Sequence, residues 1–144
     1  MDSNKVHVQN FFSTLEWSTR GQCHFASRDL SDGGQIRFLA ESESANDESM
    51  LNRGIEALVI LDANYVTWMN KIFEVLDVEA AAYLDGCSAA DVFEDYLHLT
   101  WIETLRTGKT KLTFCDSTGT LCGHVVNAWF NSEWQMVGVT VEDL

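Results

Sequence analysis

The stretch Leu58-Val59-Ile60-Leu61-Asp62-Ala63-Asn64-Tyr65-Val66-Thr67-Trp68-Met69-Asn70 constrains the fold more than any other part of the chain. Two short apolar runs flank an Asp-Ala-Asn turn, and the second run stops at an Asn. Apolar runs of this length bounded by turn residues read as strands. The expectation is therefore a β-hairpin, with strands over 58–62 and 65–69, that feeds a helix. That helix follows over Lys71 to Leu84, where Ile72, Phe73, Leu76, Ala80, Tyr83 and Leu84 recur at helical spacing and Gly86 supplies the stop.

The same reading extends to both sides. Ahead of the hairpin, Val8, Phe11, Phe12 and Leu15 follow the spacing of an amphipathic helix that begins near Ser3 and ends before Gly21. Cys23-His24-Phe25 and Gln35 to Leu39 alternate around Asp32-Gly33-Gly34, which predicts a further hairpin. Glu41 to Glu48 is the one linker-like stretch; after it Asp47 caps a short helix through Met50 and Leu51 that Gly54 ends. Behind the hairpin, Ser88-Ala89-Ala90-Asp91 has the spacing of a capping box. It opens a helix whose apolar positions are Val92, Phe93, Tyr96, Leu97, Trp101, Ile102 and Leu105, closed by Gly108. Lys111 to Cys115, Leu121 to Phe130 and Gln135 to Val141 read as three strands joined by turns at 116–119 and 131–133.

A chain of 144 residues fits one domain with an ordinary core. Its formal charge of −13 does not mark it as disordered, because 46% of its residues are hydrophobic and include five Trp and eight Phe. The acidity is uneven. Between Lys71 and Arg106 there is no Lys or Arg, yet Glu74, Asp77, Glu79, Asp85, Asp91, Glu94, Asp95 and Glu103 all lie there. A field of that sign repels a phosphate backbone and argues against direct nucleic-acid binding. A solvated face explains the stretch most simply. The sharper alternative is a surface that docks on a basic partner or imitates nucleic acid.

Cys23, Cys87, Cys115 and Cys122 are scattered, without the spacing of a zinc or redox motif, and His7, His24, His98 and His124 show no metal spacing. No signal-peptide pattern and no apolar run of about 20 residues is present, so the expected location is cytoplasmic. Ser88 and Ser117 sit at a cap and a turn, where structure accounts for them. The glycines form no phosphate loop. The residues point away from an enzyme.

In the order of these elements, and in three short segments, residues 55–144 resemble a PAS domain. "LVILDANYVTWMN" is similar to that family's opening hairpin, with Asn70 at the position of its strand-ending Asn and Gly86 at the Gly after the first crossover helix. "ETLRTGK" is similar to the end of its long helix, and "MVGVTVEDL" resembles its closing strand. The resemblance implies an α+β fold: a five-stranded antiparallel sheet with a helical crossover over 45–144, preceded by an extension over 1–44 with a helix and an extra hairpin. It also implies a regulatory sensor or dimerisation module, acting through a partner or a fused output domain. The candidate ligand cavity is lined by Trp68, Asn70, Phe73, His98, Trp101, Phe114 and Trp129, with Thr67 beside Asn70. Phe11, Phe12 and Leu15 are the candidate homodimer contacts.

The sequence names no cofactor. Cys87 directly follows Gly86 and lacks the Asn-Cys-Arg neighbours of flavin photosensors. His98, placed on the expected long helix, is the candidate axial ligand if haem is bound, against the simpler reading of a half-buried surface histidine. The aromatic residues equally fit a core that fills itself. The alternative function is a small acidic inhibitor or decoy that blocks a nucleic-acid-binding or toxin partner through the face between Glu74 and Glu103.

Overall fold

The computed structural model describes residues 10–143. Three strands, β1 (Thr14–Ser18), β2 (Cys23–Asp29) and β3 (Gln35–Glu41), come first. Helices α1 (Ser49–Ala63), α2 (Tyr65–Glu79), α3 (Ala81–Leu84) and α4 (Ala89–Phe93) follow, and then β4 (Leu97–Thr104), β5 (Thr110–Asp116), β6 (His124–Phe130) and β7 (Met136–Asp143). All seven strands form one open sheet in chain order. Every neighbouring pair is antiparallel except β3–β4, which is parallel. A parallel pair needs a long crossover, and the four helices supply it. This mixed seven-stranded sheet overturns the five-stranded antiparallel PAS-like architecture. The β3–β4 pair also joins the two segments separated by the expected boundary at residue 44.

The expected hairpin over 58–69 is helical. Its turn was real, but it separates two helices: Asn64 ends α1 and begins α2, its backbone N–H reaching Ile60 O and Leu61 O, and its side chain donating to Ile60 O at 2.9 Å. A run of four apolar residues cannot distinguish a period of 2 from one of 3.6. The longer window does. Leu51, Ile55, Leu58 and Leu61 on α1, then Trp68, Met69, Ile72, Phe73 and Leu76 on α2, form one stripe each against the sheet.

Gly54 does not end a helix, because it is where α1 crosses the sheet. A Cβ there would stand 3.1 Å from Phe38 Cδ2.

Two further expectations are corrected. The long helix after Ser88 stops at Phe93, although Ser88 Oγ does accept the Asp91 N–H at 3.1 Å as a cap. Leu97 to Thr104 is strand β4, rich in the β-branched residues that favour strands. A register shift between Leu99 and Trp101 inserts Thr100 as a bulge. That extra residue makes Leu97, Trp101 and Ile102 fall at spacings that imitate a helix. At the other end, helical backbone at residues 10 and 11 gives way to β1, so the expected amphipathic helix does not reach Gly21; its portion over 3–9 lies outside the described residues. The 23–39 hairpin is present, turning through Gly33 at φ 88° with Leu30 N–H bonded to Gly34 O at 2.8 Å.

Helices α1 to α4 lie on one face of the sheet. Phe38, Ile102, Leu112, Phe114, Val126 and Phe130 from the strands meet Leu51, Ile72, Leu76 and Phe93 from the helices, all of them essentially inaccessible to solvent. No described helix is long and apolar enough to cross a membrane.

Candidate functional site

Alternation along the strands decides what reaches the other face, which no described helix covers. Register neighbours place Arg37, Trp101, Thr113, Asn127 and Thr140 in one row across β3 to β7. Leu39, Glu103, Lys111, Trp129 and Gly138 form the next. A groove of about 680 Å³ opens over these rows, lined among others by Arg37, Trp101, Lys111, Thr113, Cys115, Asn127 and Glu142.

The floor of the groove is polar and fully engaged. Thr113 Oγ1 donates to Asn127 Oδ1 at 2.6 Å, Asn127 Nδ2 donates to Glu142 Oε2, and Thr140 Oγ1 donates to the same oxygen at 2.7 Å. Thr113 and Asn127 are 8% and 5% exposed, so longer neighbours close over them although no helix does. Hydrogen bonds from Asn127 first and Thr140 second hold the Glu142 carboxyl below its ordinary value, with Lys111 adding a smaller pull. Lys111 itself pairs with Glu103 at 3.2 Å and stands 5.4 Å from the Trp129 ring centroid. Arg37 is exposed and makes one long bond, Nε to Gln35 Oε1 at 3.5 Å. The groove thus offers a guanidinium at its β3 end, carboxylates at its β7 end and the half-buried Trp101 between them.

The sequence-derived cavity residues do not converge. Trp68, Phe73 and Phe114 lie in the core between helices and sheet, with Trp68 and Phe130 ring centroids 4.2 Å apart. Asn70 and Thr67 are exposed on α2. Trp101 and Trp129 are on the uncovered sheet face. His98 is exposed on β4, with Nε2 3.4 Å from Ser117 Oγ; the long helix that was to carry it is absent. His98 and Phe114 meet only at the rim of a second depression, of about 470 Å³, which Leu61 and Tyr65 of the α1–α2 junction also line. Phe12 is buried, its ring 4.8 Å from that of Phe38, and Phe11 stands 6.1 Å from the same ring, so both pack within the chain. Leu15 is half-buried against the core.

Glu103 belongs to the sheet face, paired with Lys111, whereas Glu74, Asp77, Glu79, Asp85, Asp91, Glu94 and Asp95 are exposed on the helical side. None of these seven takes part in the ion pairs found among the described residues. No group of three or more metal-ligating side chains stands together among the described residues. Arg37, Lys111, Thr113, Asn127 and Glu142 were not singled out by the sequence, because they come from four strands that only register brings together.

Comparison with known proteins finds no significant match to a family model, a curated protein or a solved structure.

Proposed function

We propose that this chain is a regulatory protein-interaction module without catalytic chemistry of its own, and that its partner docks on the uncovered sheet face. The observation that carries this reading is Trp101. It is a half-buried aromatic set over a hydrogen-bonded polar floor, with Arg37 in register beside it and Glu142 beyond. Aromatic and Arg side chains over a preordered base are the composition of interface centres, and fixed side chains lower the entropy cost of docking. The aromatic packing of Trp68, Phe73, Phe93, Phe114 and Phe130 supports a partner-driven mechanism over a ligand held in the core.

The test compares immobilised wild-type protein with the Trp101→Ala variant. Trp101→Ala is expected to lose the proteins that wild type retains from an extract of the producing cell, while its thermal unfolding stays close to wild type. Equal retention by the two proteins overturns the reading.

The acidic decoy is the second reading, and the exposed helical carboxylates, which have no cation partner among the described residues, favour it. It predicts the reverse pattern: a basic partner released by added salt and indifferent to Trp101→Ala.

A further inference from the structure

We propose that the free edge of β7 receives an extended basic segment of a protein partner, which joins the sheet as an eighth strand. The sheet does not close, and among the described residues β7 pairs with β6 alone. An edge strand presents a row of unpaired backbone groups, and proteins usually blunt it with Lys, Pro or an inward charge. β7 reads Met-Val-Gly-Val-Thr-Val-Glu-Asp and carries none of these devices in its middle. Its one irregularity sits at the hairpin end. Met136 pairs with Phe130 and Gly138 with Trp129, which leaves Val137 as a bulged residue and Gly138 to Asp143 as a regular stretch. A Cβ at Gly138 would meet nothing within 4 Å, so a partner's side chain has room there.

Charge selects the occupant. The stretch ends in exposed Glu142 and Asp143; the Asp143 side chain is 90% exposed and holds His124 Nε2 at 2.7 Å through Oδ1 alone, which leaves Oδ2 facing solvent. α2, the helix packed on β7, adds exposed Glu74, Asp77 and Glu79 against the single cation Lys71. A strand with Lys or Arg at alternate positions suits the acidic end of β7 and is drawn by the field of that helix. A second copy is not, because each copy carries −13. Main-chain bonds would supply affinity and the flanking carboxylates selectivity, the usual division in strand addition. This docking is independent of Trp101.

Hydrogen exchange on the full chain, followed by NMR, tests the proposal with three probes: a short peptide alternating valine and lysine, its valine–glutamate counterpart, and the valine–lysine peptide N-methylated at its valines. The valine–lysine peptide is expected to slow exchange within Gly138 to Glu142, and the other two are not. Asp143→Lys should weaken its binding by about tenfold, Glu142→Gln should weaken it less, and Glu16→Gln, an exposed carboxylate on the opposite edge strand β1, should leave it unchanged. The proposal is overturned if the N-methylated peptide binds equally well, if protection falls elsewhere, or if the valine–lysine peptide does not bind. Protection of β7 that rises with protein concentration alone would assign the edge to a second copy and overturn it as well.

Discussion

Asn127 occupies the centre of the uncovered face, and its amide spans two neighbours: it accepts from Thr113 and donates to Glu142. Such a relay is strongest while Glu142 is ionised, because hydrogen bonds to a charged acceptor are roughly twice as strong as those to a neutral one. The carboxyl lies below the ordinary 4.5 in the folded chain. A depressed folded value means that its stabilisation is present above the ordinary value and lost as pH falls through the folded one. Glu142→Gln is therefore expected to flatten the decline of the urea midpoint between neutrality and about pH 3, whereas identical slopes in the two proteins would contradict the relay. Asp47, lowered by the Ser49 hydroxyl and backbone N–H, contributes to the same decline and makes Asp47→Asn the control. At this scale the sequence singled out Trp101 and Trp129, but as lining of a cavity, whereas the register puts both on the uncovered sheet face. Asn127, Thr113 and Glu142 are ordinary polar residues in strands until the register sets them side by side.

The elements were legible where chemistry marks their ends. Gly33 and Gly34 in the β2–β3 turn, Ser88 at the start of α4 and Asn131 in the β6–β7 turn all do in the structure what their residue types suggest. Elements that failed lacked such marks or carried a misleading one. α1 has a Gly in its body, and β4 has a bulge that shifts its alternation. Gly54 is required by the approach of Phe38, whose ring is itself held by Phe11 and Phe12. Gly54→Val is expected to destabilise the fold by roughly 1–3 kcal/mol through overpacking, measured by urea unfolding. Gly54→Ala should lose less, since it regains about 1 kcal/mol of helix propensity. An unchanged Gly54→Val midpoint would mean that the helix shifts freely on the sheet. One residue earlier in α1, Arg53 resists such a shift. It donates to Thr110 Oγ1 at 3.1 Å and to Asn131 O at 2.9 Å, with its guanidinium 4.1 Å from the Trp134 ring centroid.

For the whole molecule, the charge map and the sheet topology separate two tasks. The helical layer carries most of the unpaired carboxylates, while the opposite face mixes both signs around aromatic side chains. That division was only half legible, since Glu103 lies within the acidic stretch of the sequence yet faces away from it. Topology has a kinetic side. The sheet consists of a three-stranded meander and a four-stranded one, each built from neighbouring strands, sewn together by one parallel seam where Arg37 to Ala40 meet Trp101 to Thr104. Local hairpins close quickly, whereas a contact that spans the whole helical crossover must wait for it. The seam is then the late step of folding. Ile102→Val, at a fully buried position that faces Phe38 across the seam and Leu112 within the second meander, is expected to cost about 0.5–1.5 kcal/mol and to act more on the unfolding rate than Val126→Ala, between β5 and β7, which should slow folding. Stopped-flow chevrons with the reverse assignment would place the seam early. In a nascent chain the consequence is one of timing: until the crossover is complete and the seam has formed, β3 and β4 are each exposed edges, the form of a strand most open to pairing with another chain.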